Sequence, residues 1–180
     1  MGLAFPIRLL AITGMFTAVA TAQEYTARSA AMSGLGSAFS RIPSEESLDR
    51  LPAELKAESA IYLQRRLGEW QIQDAREILG EPRRRRDAFQ EGVVTGDIYA
   101  FRDPTNRYRE FELLFDRQNK TLRSAFIYPW RMTWNECRDL WGEEVNTTAM
   151  ANGQVFRSYL NRRLDVLADK SGTVINLGIY

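Results

Sequence analysis

Two glutamates separated by a single residue, Glu110 and Glu112, have the spacing in this sequence best suited to bond-breaking chemistry. They fall in Tyr108–Phe115, an alternating segment that predicts a strand with Phe111, Leu113 and Phe115 on one face and the two acids on the other. Side chains two residues apart on a strand share a face and lie about 6–7 Å apart, a separation that overlaps the range used by glycosidases. The simpler reading makes both acids the solvent positions of a half-buried strand. Asp97 and Asp103 are read as strand-end and turn residues. The chain contains no histidine, so Ser-His and Cys-His nucleophilic schemes and the usual zinc sites are excluded. Gly92 and Gly96 bracket Val93-Val94-Thr95 without the glycine pattern that cradles phosphate at the start of a helix. No catalytic, cofactor-binding or metal-ligating residue is therefore assigned, and no cofactor is expected.

Other reactive or sticky groups have plainer roles. Cys137 is the sole cysteine, so no intramolecular disulfide forms. Its place inside a helical apolar pattern predicts burial, with a reactive thiol or a dimer link as the sharper alternative. Arg83–Arg86 is a run of four arginines that would suit a phosphate or polyanion. Glu81 and Asp87 flank it, which favours a solvated loop or strand start. Trp70, Trp130, Trp134 and Trp141 lie at or near two predicted helices and are expected to pack in the core, with partner binding as the alternative. Tyr99, Phe101, Tyr108, Phe111, Tyr128 and Tyr159 are candidates to line an exposed sheet face. Asn119-Lys120-Thr121 and Asn146-Thr147-Thr148 match the glycosylation pattern.

The elements that must carry these residues follow from periodicity and punctuation. Leu51–Leu67 predicts one helix, with Pro52 in its first turn, Leu55, Ser59, Tyr62, Leu63 and Arg66 along one side and Gly68 as its stop. Gln71–Leu79 predicts a second, with Ile72, Ala75, Ile78 and Leu79 inward and Gly80 ending it in a left-handed conformation before Pro82. Thr133–Trp141 predicts a third, with Thr133 as cap, Trp134, Cys137, Leu140 and Trp141 inward, and Gly142 as its stop. Strands are expected at Asp97–Arg102, Tyr108–Phe115 and Thr121–Tyr128, then at Val155–Leu160, Arg163–Ala168 and Thr173–Tyr180, separated by turns at 103–106, 117–120, 161–162 and 171–172. The result is an α+β fold with short helices packed on one face of antiparallel sheet.

The N-terminus reads as an export signal. Arg8 precedes the mostly apolar Leu9–Ala20, and Ala20-Thr21-Ala22 offers small residues for cleavage after Ala22. The apolar run is too short for a comfortable membrane span, and no cysteine follows the cleavage site to take a lipid anchor. Residues 23–43, rich in Ala, Ser and Gly, read as a mobile leader extending to about residue 50. Ser44 is placed as the cap of a further short helix. The mature chain of roughly 160 residues suits one domain or two small fused modules, with a core that needs no disulfide. There are 24 basic and 23 acidic residues. Losing Arg8 balances them, which argues against nucleic acid or an anionic membrane as partner. The expected location is the periplasm or the exterior.

One segment recurs along the chain. Trp70–Pro82 (WQIQDAREILGEP) aligns with Met132–Glu144 (MTWNECRDLWGEE), with Arg76/Arg138, Gly80/Gly142 and Glu81/Glu143 coinciding. Phe115–Tyr128 (FDRQNKTLRSAFIY) similarly aligns with Leu167–Tyr180 (LADKSGTVINLGIY). Two tandem helix-plus-meander units follow, at residues 51–129 and 130–180, expected to form one compact domain, with Arg76 and Arg138 on solvent-facing sides. The run Gly68-Glu69-Trp70 through Leu79-Gly80-Glu81-Pro82, with Arg131-Met132-Thr133 and Leu140-Trp141-Gly142-Glu143 as a second copy, resembles the β-lactamase-inhibitory-protein-like fold. That group includes secreted inhibitors built as tandem repeats and the small lipoprotein of outer-membrane assembly. The sequence departs from the group at Trp70, where Met or Thr is commoner, and at Glu144, which replaces the Pro. It also has neither a lipobox Cys nor paired Cys. The resemblance implies non-catalytic binding of another protein. The expected function is thus an exported binding module for another exported or envelope protein. A secreted enzyme inhibitor, inserting a loop near Arg83–Gly96, is one alternative. A carboxylate-dependent polysaccharide hydrolase built on Glu110 and Glu112 is the other.

Overall fold

A computed structural model describes residues 48–180. The export signal, most of the leader and the Ser44 cap lie outside the described residues. The described chain forms an α+β fold whose four α-helices are α1 (Ala53–Ala57), α2 (Ser59–Gln64), α3 (Ile72–Leu79) and α4 (Trp134–Trp141). Eight strands follow the same chain order: β1 (Arg84–Gln90), β2 (Val93–Phe101), β3 (Tyr108–Asp116), β4 (Leu122–Pro129), β5 (Asn146–Ala149), β6 (Val155–Tyr159), β7 (Leu164–Ala168) and β8 (Val174–Ile179). They build one antiparallel sheet in the order β1-β2-β3-β4-β8-β7-β6-β5.

The predicted first helix is two helices. Glu58 is extended, at φ −156° and ψ 105°, and its side chain caps α2 by accepting from the Ala60 amide at 3.1 Å. The same carboxylate accepts from Tyr108 Oη at 2.6 Å and from Arg107 Nη1 at 2.6 Å. Three donors from two separated segments fix Glu58, and the helix breaks to let it reach them. Leu55, Ser59, Tyr62 and Leu63 still face inward as their spacing demanded.

Both later helices start and stop as expected. The Gln71 amide donates to Asp74 Oδ2 at 2.7 Å, and the Thr133 amide donates to Glu136 Oε2 at 2.7 Å while Thr133 Oγ1 accepts from the Glu136 amide. These are reciprocal first-turn caps. Gly80 (φ 85°, ψ −167°) and Gly142 (φ 92°, ψ −176°) end the helices. Their positive φ was expected, but ψ is extended rather than left-handed helical, in a region open essentially to glycine alone. Gly80 N–H and Gly142 N–H bond back to the carbonyls of Arg76 and Arg138. Those arginines are half-buried and ion-paired across the glycine to Glu81 at 3.5 Å and Glu143 at 3.4 Å. The repeated Arg-Gly-Glu residues therefore form a clasp at each helix end. The segment before each helix also ties to a strand start: Leu122 N–H donates to Trp70 O and Val174 N–H to Met132 O, each at 2.7 Å.

One apolar core lies between the helices and the sheet. Leu55, Leu63, Ala75, Cys137 and Trp141 pack against Phe101, Phe111, Leu113, Ile127, Val166 and Leu177. Fully burying side chains of this size contributes roughly 1.5–3 kcal/mol each. Ile72 and Ile78 pack at its margin, whereas Leu140 is exposed, against the inward position expected for it. Trp70 and Trp141 are core residues, Trp134 packs at the edge, and Trp130 is exposed. Of the six candidate aromatics, only Tyr128 pairs on the sheet's other face, opposite Glu110. Tyr99, Phe101, Tyr108, Phe111 and Tyr159 pack with the helix-side core.

Candidate functional site

The face of the sheet turned away from the described helices carries the polar chemistry. Cross-strand register sets one row of residues along it: Arg84, Ala100, Glu112, Phe126, Gly178, Asp165, Ser158 and Asn146, one from each strand. Read inward from the two edges, the row runs base, small residue, acid on one side and amide, hydroxyl, acid on the other. Phe126 and Gly178 face each other at its centre.

On the first side the two glutamates are buried, at 7% exposure for Glu110 and 5% for Glu112. The solvent position expected for them is overturned. Arg84 reaches across Ala100, whose methyl leaves the path clear, and donates to Glu110 Oε1 at 2.5 Å, Glu110 Oε2 at 3.1 Å and Glu112 Oε1 at 2.9 Å. Arg86 Nη2 and Tyr128 Oη each donate to Glu112 Oε2 at 3.0 Å. Of the loop and the strand start that the arginine run allowed, the structure shows the strand start: Arg84–Arg86 open β1, and Arg85 pairs Asp97 at 2.6 Å. Burial pushes the Glu112 carboxyl up, but the two guanidiniums and the phenol together overcome it and hold the group below the usual range. Burial dominates at Glu110, whose carboxyl is raised despite Arg84. The phenol of Tyr128 is driven well above its ordinary value by burial and by Glu112 beside it.

On the second side Asp165 is buried at 4% exposure. Tyr180 Oη lies 3.4 Å from its Oδ1, and Ser158 stands opposite it on the neighbouring strand. Its Oδ2 has no partner. Burial raises this carboxyl, and no base offsets it. In Leu164-Asp165-Val166-Leu167-Ala168 nothing local marks Asp165 as a buried acid. Only the pairing of β7 with β8 reveals it.

A cleft of about 730 Å³ opens beside this second side, lined by Trp141, Glu143, Glu144, Asn146, Ser158 and Leu160 among others. A smaller one of about 430 Å³ includes Glu58, Arg107, Glu136 and Asp139. Glu110 and Glu112 line neither. Asp103, fully buried, accepts from the amides of Thr105 and Tyr108 at 2.8 Å each, which makes it the turn residue expected. Cys137 is buried, with its thiol pushed up to about 12 by burial. Among the described residues no three acidic or cysteine side chains converge as a metal site requires, and no helix is long and apolar enough to cross a membrane. No family model, curated protein or solved structure matches the chain.

Proposed function

We propose that the chain is an exported, non-catalytic binding module that presents the sheet face turned away from its described helices to another exported or envelope protein. The observation that carries this reading is the state of the carboxylates on that face. Glu110 and Glu112 are committed to Arg84 and Arg86, at 2.5–3.1 Å, so their lone pairs are engaged. A general acid and base would need at least one of them directed at a substrate-sized space. What the face offers instead is half-buried aromatic surface at Phe126, Tyr128 and Tyr180 among fixed polar groups, the composition typical of protein recognition.

Export rests on Arg8, the apolar Leu9–Ala20 and the small residues before Gln23. Two tandem helix-plus-meander units account for the recurrence of caps, clasps and strand ties around α3 and α4. The seam also supports that reading. Ala125 pairs Ile179 and Ile127 pairs Leu177, so Phe126–Gly178 is the centre of a local two-fold. The resemblance to the β-lactamase-inhibitory-protein-like fold belongs to this proposal as well, since such tandem units bind proteins in that group.

A secreted enzyme inhibitor is the second reading, and one feature favours it. The β1–β2 hairpin turns through Glu91 and Gly92, both at positive φ as a two-residue hairpin turn requires. Near the turn, Val93 and Phe89 are exposed at 65% and 62%, one on each face of the hairpin, which makes its tip apolar and suited to a cleft. Immobilised mature protein should retain a specific partner from envelope extract or culture supernatant at micromolar bait. Repeated capture of nothing specific would remove the first reading. A hydrolase panel left uninhibited at stoichiometric excess would remove the second.

A further inference from the structure

We infer that Asp165 anchors a subsite for an arginine side chain of the protein partner, an inference that rests on the binding-module reading. Within the eight-strand row, Glu112 and Asp165 hold matching places, each one strand from the Phe126–Gly178 centre. Each also has a tyrosine from the neighbouring strand against it, Tyr128 at 3.0 Å and Tyr180 at 3.4 Å. Their surroundings differ above all in the bases that the outer strand supplies. On the Glu112 side the outer strand supplies Arg84 and Arg86. The matching positions of β5, fixed by register through Ser158 and Phe156, are Asn146 and Thr148. Neither can carry a positive charge, and both are exposed.

The second acid therefore has the burial of a paired carboxylate without the pair. A buried acid with an unpartnered oxygen costs stability, and an added cation removes that cost. Access runs along the same row. Ser158, the cross-strand neighbour of Asp165, and Asn146, one strand further out, both line the 730 Å³ cleft, and the acid lies behind Ser158 rather than on the cleft wall. Glu143 and Glu144 line it too, with Arg162 as the opposing charge. Arg138 already holds Glu143 at 3.4 Å. Arg163, two residues from Asp165, is exposed and acts on Tyr180 rather than on the acid, and Arg157 packs on Trp134 on the opposite face. The charge balance of the cleft with Asp165 behind it thus favours a cation. Arginine suits it better than lysine because a planar fork can bond Asp165 and Ser158 together.

The test uses the isotopically labelled mature chain at pH 7, following the Asp165 carboxyl carbon and the Ser158 and Asn146 amides by NMR. The probe is N-acetyl-arginine amide, with the neutral N-acetyl-citrulline amide as its isostere. Saturable shifts at all three positions with the arginine probe are expected, at least fivefold larger than with citrulline. Asp165→Asn should abolish them. Asn146→Arg, which supplies an internal cation as Arg84 does, should block the probe at least tenfold while raising Tm. Equal shifts with both probes, shifts that persist in Asp165→Asn, or an Asp165 carboxyl that stays protonated with probe present would each overturn the subsite. Partner capture separates the two proposals. A captured partner that binds Asp165→Asn as well as wild type sinks the subsite and leaves the module. Arginine binding at Asp165 with no captured partner does the reverse.

Discussion

Glu112 and Asp165 occupy matching places yet respond to pH with opposite sign. Glu112 is held low in the folded protein, so the unfolded chain takes up its proton first on acidification. Its contribution is present above the usual glutamate range and is lost as pH falls through its folded-state value. Asp165 is held high, so the folded protein takes up the proton first. Its ionisation costs stability as pH rises through that raised value, and acidification restores it. At pH 7, Glu112→Gln should lower unfolding free energy by about 1–3 kcal/mol, a figure kept small because Arg84 and Arg86 are partly solvated. Asp165→Asn should raise it by about 1 kcal/mol. Urea midpoints between pH 3 and 8 check both, and each difference from wild type should shrink on the acid side. A destabilised Asp165→Asn protein at neutral pH would show that the carboxylate has a partner after all.

At the scale of elements, glycine sets the boundaries. A Cβ on Gly142 would meet nothing within 4 Å, so the penalty for alanine there is backbone strain alone, about 1–3 kcal/mol. Gly96 differs: its ordinary strand backbone passes so close to β3 that a Cβ would overlap the Phe115 carbonyl oxygen and stand 2.9 Å from Leu114 Cδ1. Gly96→Ala should therefore be the worse substitution, by roughly 1–3 kcal/mol or more. Gly178→Ala, whose nearest neighbours would sit at 3.8 Å, should cost least of the three. Thermal melts of the three variants give the ranking. Helix ends and central strands were legible in the sequence because Gly80, Gly142, Phe111, Leu113 and Phe115 announce themselves locally. The edge strands were not. Arg84-Arg85-Arg86-Asp87 and Asn146-Thr147-Thr148 have no apolar alternation, and backbone pairing on one side alone makes them strands. Nor could the burial of Glu110 and Glu112 be read, because it depends on arginines reaching over Ala100 from β1. The break at Glu58 stayed hidden for a similar reason, since its donors, Arg107 and Tyr108, lie far along the chain.

For the whole molecule, the core decides cooperativity. The seam between β4 and β8 has three registered residue pairs, but Ile127, Leu177 and Ile179 at that seam belong to the same buried cluster as Leu63, Phe111 and Trp141. Each half borrows apolar cover from the other, so a single unfolding transition is expected. Tryptophan fluorescence and far-UV ellipticity should give coincident urea curves. A resolved intermediate with half the ellipticity would mean that the halves fold separately. Among the described strands the sheet is open at β1 and β5. Charge on the first and the four-residue length of the second protect those edges from adding further strands. The buried sulfur of Cys137 turns this cooperativity into something countable. The chain has no other thiol, and one this deep, with so high a pKa, reacts with a disulfide reagent only while α4 is lifted away. The colour released per minute by the untouched protein is therefore a clock for that opening, with no label to add and no background to subtract.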